Sequence, residues 1–317
     1  MAHQISLAPL QGLTHEPFRQ LFPQYFPGID RAYTPYFSIN DQTMPKPKKI
    51  RAALEAGSEH FQIVPQVLTE NASAFLNFSD LMKDSGINLL NLNMGCPYPI
   101  VTKKGKGAAM LAAPEKTEKF FELVFDKIQT GVSVKVRSGL YQENELSELF
   151  PVLNRFPIKE IIIHPRKGTD YYTGKPDMKA FAGFIAKSEI PVVYNGDIFS
   201  VADYRTITAS YSGIEHIMIG RGLLRNPLLA ANIKNITIAN PIERIKSFMH
   251  ELAEVLSAQR RSKDPFPQGI KEYWWHLSFS FSESSRVFDI IKVTQNLKTY
   301  HQKVEEVFEE FSFEPEN

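Results

Sequence analysis

The chain has 317 residues, of which 43% are hydrophobic and 22% charged. This composition is typical of a soluble globular protein, and it excludes a disordered chain, a collagen-like chain and a small disulfide scaffold. The 36 Lys and Arg residues against 35 Asp and Glu give a net charge of +1. The chain is therefore no polycation, and any nucleic-acid partner must meet a local basic patch.

The sequence contains a single cysteine, Cys96, which excludes an intramolecular disulfide and a cysteine-based zinc site. The eight histidines form no HExxH or similar helix-spaced pair, so we predict that the protein binds no metal. The N-terminus lacks the basic region of a signal peptide, and no segment has 18 consecutive apolar residues. We therefore predict a cytoplasmic protein with no membrane partner.

Short apolar or β-branched runs alternate with helix-like segments along the first 220 residues, which indicates an α/β fold. Eight strand-helix units in roughly 220 to 230 residues predict a (β/α)8 TIM barrel. A doubly wound open sheet is the alternative, because alternation alone does not prove that the sheet closes. The predicted strands are residues 5–9, 31–37, 60–66, 88–93, 132–137, 160–164, 191–195 and 215–220.

The spacing between strand starts is roughly 24 to 31 residues except after strand four, where 44 residues separate Asn88 from Val132. The loop after strand four is therefore enlarged. After residue 240 the pattern changes to helices only, predicted at 241–261, 268–281, 283–295 and 297–311. We expect a barrel domain over 1–240 and a small all-α domain over 241–317.

Polar or specific residues stand where most of the strands end, and in a barrel of this type the active face lies at the carboxyl ends of the strands. Each residue alone has an ordinary structural explanation, such as a buried cysteine or a hydrogen-bonded histidine. Together they indicate one site. They are Ala8, Pro9, Leu10, Gln66, Asn93, Cys96, Lys135, Arg137, His164, Arg166, Asn195, Gly196, Asp197, Gly220, Arg221 and Gly222.

Strands seven and eight end in residues 195–197 and 220–222, where this fold commonly binds a phosphate with backbone N–H groups. Glycine lets the backbone approach the phosphate, and Arg221 adds charge. Gln66, Lys135 and His164 would then surround a planar ring, as flavin mononucleotide (FMN) requires. Lys135 could instead form a Schiff base in an aldolase-like barrel.

The sequence resembles the tRNA-dihydrouridine synthases, most specifically in the Asn-Leu-Asn-Met-Gly-Cys-Pro string of residues 91–97. Further matches run along the whole barrel, and the helical segment corresponds in position and length. These matches are residues 7–19, 134–137, 164–166 with Tyr172, 191–197 and 218–222.

The resemblance implies an FMN enzyme that takes electrons from NADPH and reduces the C5=C6 bond of uridines in tRNA, with a helical tRNA-binding domain over 241–317. It implies that Cys96 donates the proton and that Asn93 orients the uracil. It places the flavin against Ala8, Pro9, Leu10, Gln66, Lys135 and His164, and the flavin phosphate against Asn195, Gly196, Asp197, Gly220 and Arg221. We expect a monomer.

A target base must leave its stack to reach a barrel mouth, and bases in RNA loops do so at the lowest cost. We predict substrate contacts at Arg166, Tyr172, Lys103, Lys104 and Lys271, in addition to Asn93. Further candidates for phosphate contacts are Lys106, Arg260, Arg261, Lys263, Arg286, Lys292 and Lys298. The aromatic residues Tyr273, Trp274, Trp275, Phe279 and Phe281 could stack on bases, although such spacing is more typical of a helical core.

Two alternatives remain open from the sequence. The first is an FMN-dependent reductase of a free small molecule, which would turn over without RNA. The second is a tRNA-binding chaperone that keeps the flavin scaffold, which would bind RNA whether or not Cys96 is present.

Overall fold

A computed structural model describes residues 3–259 and 266–315 of the chain. Its sheet consists of parallel strands that correspond to the eight predicted units. They are β1 (Gln4–Leu7), β2 in two pieces (Arg31–Tyr33 and Phe37–Ser38), β3 in two pieces (Gln62–Val64 and Gln66–Leu68), β4 (Leu89–Met94), β5 (Gly131–Gly139), β6 (Ile161–Lys167), β7 (Val192–Asn195) and β8 (Ile214–Ile219).

The strands form a closed ring. Each strand pairs in parallel with the next one along the chain, and β8 pairs with β1 in the register Ile217 to Ile5 and Ile219 to Leu7. This closure confirms the barrel and excludes the doubly wound open sheet. The two splits were not predicted. The one in β3 falls at Pro65, which has no N–H to donate to the ladder.

The helices of the barrel region lie between the strands. They are α1 (Glu16–Tyr25), α2 (Pro47–Glu55), α3 (Ala72–Asp84), α4 (Pro99–Thr102), α5 (Pro114–Phe125), α6 (Glu145–Leu153), α7 (Met178–Lys187), α8 (Val201–Ser210), α9 (Arg221–Arg225) and α10 (Leu229–Ile233). Local chemistry explains several starts: Pro114 opens α5, and Ser200 with Asp203 forms a capping box at α8.

The enlarged loop after β4 is partly helical, since it contains α4 and a 3-10 turn at Gly107–Met110. Lys106 fastens this loop to the barrel. Its buried Nζ donates to the Ile39 carbonyl at 2.9 Å and lies 3.3 Å from the Glu70 carboxylate. The loop is thereby held over the carboxyl ends of the strands.

After residue 240 the described residues contain four α-helices and no strand, apart from an isolated bridge between Phe281 and Phe313. The helices are α11 (Pro241–Ala258), α12 (Ile270–Leu277), α13 (Ser284–Lys292) and α14 (Leu297–Glu310). All four are shorter than predicted: α11 ends at Ala258 instead of residue 261, and the last two residues of that prediction lie outside the described residues. The division into domains at residue 240 stays a prediction.

Two apolar layers hold the barrel together. A small cluster of Ala8, Tyr33, Val64, Ile162, Val193 and Met218 lies inside the ring, and a larger one lies between the strands and the helices. Phe248 of α11 packs edge-to-face on Phe18 and Phe22 of α1, which attaches the last helices to the first barrel helix. No helix over 3–259 and 266–315 combines the length and apolarity needed to cross a membrane.

Candidate active site

A cavity of about 450 Å³ opens at the carboxyl ends of the strands and adjoins a smaller recess of about 70 Å³. The larger cavity is lined by these predicted strand-end and site residues: Pro9, Leu10, Gln66, Asn93, Cys96, Lys135, Arg137, His164, Tyr172 and Arg221. The recess adds Ala8, Asn195, Gly196, Asp197 and Gly220. The structure therefore brings together all the predicted cofactor-binding residues, together with Cys96, Asn93 and Tyr172.

A ladder of hydrogen-bonded amides forms one wall of the cavity. The sheet register places Gln66 beside Asn91, Asn91 beside Ser133 and Asn93 beside Lys135. Gln66 Nε2 donates to Asn91 Oδ1 at 2.7 Å, and Asn93 Nδ2 donates to Gln66 Oε1 at 2.8 Å. Each amide NH₂ keeps a second hydrogen, so Gln66 and Asn93 can still bind a ligand.

Asn93 also shapes the loop that carries Cys96. Its Oδ1 accepts from the backbone N–H groups of Gly95 at 3.1 Å and Cys96 at 2.9 Å. Farther along, the Cys96 carbonyl accepts from the N–H of Ala108 at 3.0 Å. A Cβ at Gly107, which has φ +61°, would come within 2.5 Å of that carbonyl oxygen, so glycine is required for this close approach.

The Cys96 thiol is partly buried and remains protonated. Burial raises its pKa, while hydrogen bonds involving Tyr98 and Tyr36 and the positive charges of Arg137 and Lys135 act in the opposite direction without reversing the shift. Such a thiol can hold a proton at neutral pH and deliver it to a ligand. Cys96 is thus suited to act as an acid rather than as a thiolate nucleophile.

Lys135 has no hydrogen-bond or ion-pair partner for its ammonium group among the described residues. Burial, assisted by the nearby Arg137 guanidinium, lowers the pKa of Lys135 to about 7. An amine of this kind gains a stable charge when an anionic or electron-rich ligand arrives. The same property suits a Schiff-base lysine, so this geometry alone leaves both predicted uses of Lys135 open.

His164 is neutral and has a defined tautomer. Burial, followed by the charges of Lys135, Arg137, Arg166 and Arg221, lowers its pKa well below the ordinary value. Nε2 lies 3.0 Å from the Arg166 guanidinium, which can only donate, so Nε2 accepts and the ring proton sits on Nδ1. His164 therefore keeps an N–H donor on its other ring nitrogen.

Asp197 joins two arginines. It accepts from both terminal nitrogens of Arg166 and, at 2.6 Å, from Arg221. Burial opposes ionisation of Asp197, but the two guanidinium groups lower its pKa below the ordinary value. Arg221 is also held by the Tyr172 ring, whose centroid is 4.6 Å from the guanidinium carbon.

The prediction that Arg166 contacts the substrate needs correction. Its side chain is 1% exposed, it lines neither the cavity nor the recess, and it also donates to the Gly174 carbonyl at 2.6 Å. Both terminal nitrogens of the guanidinium therefore bind internal partners, and Arg166 contacts His164 and Asp197 instead of the cavity.

Backbone geometry makes the recess narrow. A Cβ at Gly220 would come within 3.2 Å of the Ala8 methyl group, and one at Gly196 within 3.1 Å of the Tyr194 hydroxyl. Asn195 anchors the end of β7, because its Nδ2 donates to the Met218 carbonyl at 2.9 Å. With Arg221 at its edge, this recess fits a small anion such as a phosphate.

The predicted RNA contacts outside the cavity have different fates. Lys103 and Lys104 are exposed on the loop after β4, and Lys271 is half-buried beside the Phe266 ring. Lys106 is buried, so the prediction that it contacts phosphate is wrong for this structure. Arg286 and Lys292 pair with Glu283 and Asp289, and Arg260, Arg261 and Lys263 lie outside the described residues.

The aromatic residues of the last helices divide into two groups. Tyr273, Trp274 and Phe281 are buried, as a helical core requires, whereas Trp275 and Phe279 are exposed. Trp275 and His276 line the cavity, and so do Tyr36 and Arg137. Neither Tyr36 nor His276 was predicted from the sequence, although Tyr36 stands near the end of a predicted strand, which is a signal that could have identified it.

As a whole, the donors suit a flavin. Lys135 Nζ and the Nδ1 proton of His164 are available to a ring with acceptor atoms, and the recess beside Arg221 is available to its phosphate. Over 3–259 and 266–315, no three His, Cys, Asp or Glu side chains are grouped to hold a metal ion.

The chain matches the family model described as dihydrouridine synthase over residues 6–311. It is 30% identical over 234 residues to a probable tRNA-dihydrouridine synthase of Rhodobacter capsulatus, covering 72% of this chain and 70% of the relative. It is 26% identical over 324 aligned positions to a tRNA-dihydrouridine(16) synthase of Haemophilus influenzae, covering 96% and 99%. A solved structure of morphinone reductase matches with a TM-score of 0.53 at 10% identity, covering 75% and 87%, which supports the fold alone.

Proposed function

This chain belongs to the dihydrouridine synthase family, and we propose that it reduces the C5=C6 bond of uridines in tRNA to 5,6-dihydrouridine in the cavity at the barrel mouth. One observation carries this proposal: the protonated Cys96 thiol lines the same cavity as Lys135, His164 and Arg221. An acid and a flavin-binding wall within one cavity are what this reduction needs.

The cofactor is a flavin, and we propose FMN as its form and NADPH as the electron donor. When bound, FMN supplies the hydride that is added to C6 of the uracil. Arg221 and the backbone at Gly196 and Gly220 would bind its phosphate. Lys135, the Nδ1 proton of His164 and the second amide hydrogen of Gln66 would bind its ring, with Ala8, Pro9 and Leu10 supplying contacts along its edge.

Cys96 holds at Sγ the proton that C5 of the uracil requires. A carbon that receives negative charge needs an acid within reach, and a thiol with a raised pKa stays protonated until that charge develops. Asn93 holds the Cys96 loop because its Oδ1 accepts from two backbone N–H groups, and its remaining amide hydrogen can donate to a uracil carbonyl. Asn93 thus combines positioning of the acid with orientation of the base.

The tRNA is the polymer substrate, and its target uridine must be extruded to enter the cavity. Tyr172 lines the cavity at its exposed side and can contact the base, while Lys103 and Lys104 on the loop after β4 can contact backbone phosphates. We propose that residues 241–317 form an RNA-docking domain in which Lys271 adds a further contact.

The test uses purified chain, NADPH and tRNA from a strain that lacks dihydrouridine. We expect a yellow protein whose released cofactor is FMN, and dihydrouridine formed only when both NADPH and tRNA are present. Mapping the product identifies the modified position. Position 16 is examined first, because the Haemophilus influenzae relative carries that number in its name and this chain aligns with 99% of its length.

The same experiment separates the alternatives. Rapid turnover of a free enone or pyrimidine without product in tRNA would overturn the proposal in favour of a small-molecule reductase. RNA binding without any product, unchanged by removal of flavin, would overturn it in favour of a chaperone.

A further inference from the structure

Trp275 differs from the other tryptophan of the chain in its exposure. Trp274 is completely buried and donates from Nε1 to the Tyr300 hydroxyl at 2.9 Å. Trp275, the next residue of α12, is 50% exposed and lines the cavity that contains Cys96. Burial of the core therefore explains Trp274 and leaves the exposed indole unexplained.

Two phenylalanine rings contact the Trp275 ring. Its centroid lies 5.3 Å from that of Phe279 at an interplanar angle of 86°, and 5.1 Å from that of Phe288 at 76°. Edge-to-face contacts of this kind fix the ring orientation before any ligand arrives. A fixed, half-exposed indole is a surface on which a flat ring can stack with little loss of side-chain entropy.

Arginine side chains contact the aromatic cluster to which this indole belongs. The Arg225 guanidinium carbon lies 4.3 Å from the Phe279 centroid and 4.0 Å from that of Phe199, and Arg221 stands at the cavity itself. Aromatic rings interleaved with arginines are the surface that single-stranded nucleic acid recognises, because bases stack and phosphates pair with the cations.

We propose that Trp275 stacks on an unpaired base of the tRNA, the one that adjoins the target uridine. This inference rests on the proposed function. Extrusion of the uridine leaves its neighbour without a stacking partner, and Trp275 lies at the cavity that would receive the extruded base. A stacked base fits a half-exposed indole that shares a cavity with Arg221 better than an acidic protein surface does, because such a surface would leave the indole face without a partner.

The test compares Trp275→Ala with Trp275→Phe. We expect Trp275→Ala to raise the KM for tRNA by about tenfold, within the range measured for loss of one stacked base, and to leave the KM for NADPH and the flavin content unchanged. Trp275→Phe retains an aromatic face and should recover most of the affinity. Leu81→Ala, which removes an exposed apolar side chain from α3, is the surface control and should match the parent.

Fluorescence provides a second readout, because the chain has only two tryptophans. Adding tRNA to flavin-loaded protein should quench the emission of Trp275, and the Trp275→Phe variant should lose this quench because Trp274 is buried. An unchanged KM for tRNA in Trp275→Ala, or a quench in Trp275→Phe equal to that of the parent, would overturn the inference. The proposed function is tested separately, because it depends only on whether the parent protein forms dihydrouridine. A rise in the KM for NADPH alone would also overturn it, since the indole would then hold the adenine of the dinucleotide.

Discussion

The two ends of the active-site cavity are built on opposite electrostatic principles. At the recess end, Asp197 forms ion pairs with both Arg166 and Arg221, and the three side chains together keep one net positive charge. At the other end, Lys135 has no partner among the described residues and Cys96 is an uncharged thiol with a raised pKa. The recess end is therefore a framework of ion pairs that exists before a ligand binds. The other end, which we call the reactive end, carries two groups whose charge can change when a ligand binds or reacts.

The difference indicates how the two ends work. The partly exposed Asp197 carboxylate fixes two guanidinium groups before a ligand binds, so the recess needs no reorganisation to bind a phosphate. The unpaired amine can instead take up a proton when a negative charge comes near, and the protonated thiol can give one up. Both are changes of charge that a reaction requires. Substitutions at the two ends should therefore fail in different ways: at the reactive end in turnover, and at the recess end in stability.

The largest effect is expected at the reactive end. Cys96→Ala should lower the rate of dihydrouridine formation at least 100-fold, in the range typical of a lost general acid, because the thiol that holds the proton is removed. Flavin content, unfolding free energy and tRNA affinity should stay at parental values. Cys96→Ser retains a weaker donor and should fall between the two, whereas an unaltered rate in Cys96→Ala would show that another group supplies the proton.

At the recess end, Asp197→Ala should destabilise the protein by about 3 kcal/mol, the usual cost of removing one partner of a buried ion pair. The reason is that Arg166 would keep its charge in a buried position. Asp170→Ala is the matched control, because its 3.8 Å pair with Lys167 is partly exposed and should contribute little. Urea unfolding measures both, and equal stability of the two variants would contradict the framework assignment.

The protonation of Lys135 on FMN binding can be measured as proton uptake. With flavin removed, Lys135 has a pKa of about 7, so it is largely neutral at pH 8 and largely charged at pH 6. If bound FMN stabilises the charged form of Lys135, FMN binding takes up close to one proton per protein at pH 8 and almost none at pH 6. The affinity for FMN then decreases as the pH rises above about 7.

Calorimetry in two buffers of different ionisation enthalpy measures this proton uptake. Lys135→Met serves as the control, because it removes the amine and leaves any contribution of the flavin phosphate. Equal proton uptake in the variant and the parent would assign the proton to another group and break the contrast between the two ends.

The barrel, and the fact that the site residues meet at its mouth, could be predicted from the sequence. The reason is that the carboxyl ends of the strands in a closed parallel ring all lie at one end of the barrel. Gln66, Lys135 and His164 are far apart in the chain, yet the alternation of strands and helices places all three at one mouth. The split of β3 at Pro65 was missed, since it is a local break that the apolar pattern does not reveal.

Other misses depended on long-range packing. Arg166 follows His164 by two residues, but only the fold shows that its terminal nitrogens donate to Asp197 and Gly174. Lys106 differs from Lys104 only because the loop folds back to the Ile39 carbonyl, 67 residues away. Likewise, no spacing rule decides which of Trp274 and Trp275 faces the core, because that depends on which side of α12 meets α14.

The smallest effect is expected at Lys103 and Lys104, which extend the reactive end to the outer surface. Both are exposed on the loop that carries Cys96, and neither has a carboxylate partner within the described part of the chain. Replacing both with Ala should weaken tRNA binding a few-fold at low salt and reduce the slope of log affinity against log salt by about one per lysine. The paired change Lys127→Ala and Lys159→Ala removes two exposed lysines that precede β5 and β6, at the opposite end of the barrel. If both pairs of substitutions change the salt slope equally, the overall charge of the protein holds the tRNA, and Lys103 and Lys104 do not contact it preferentially.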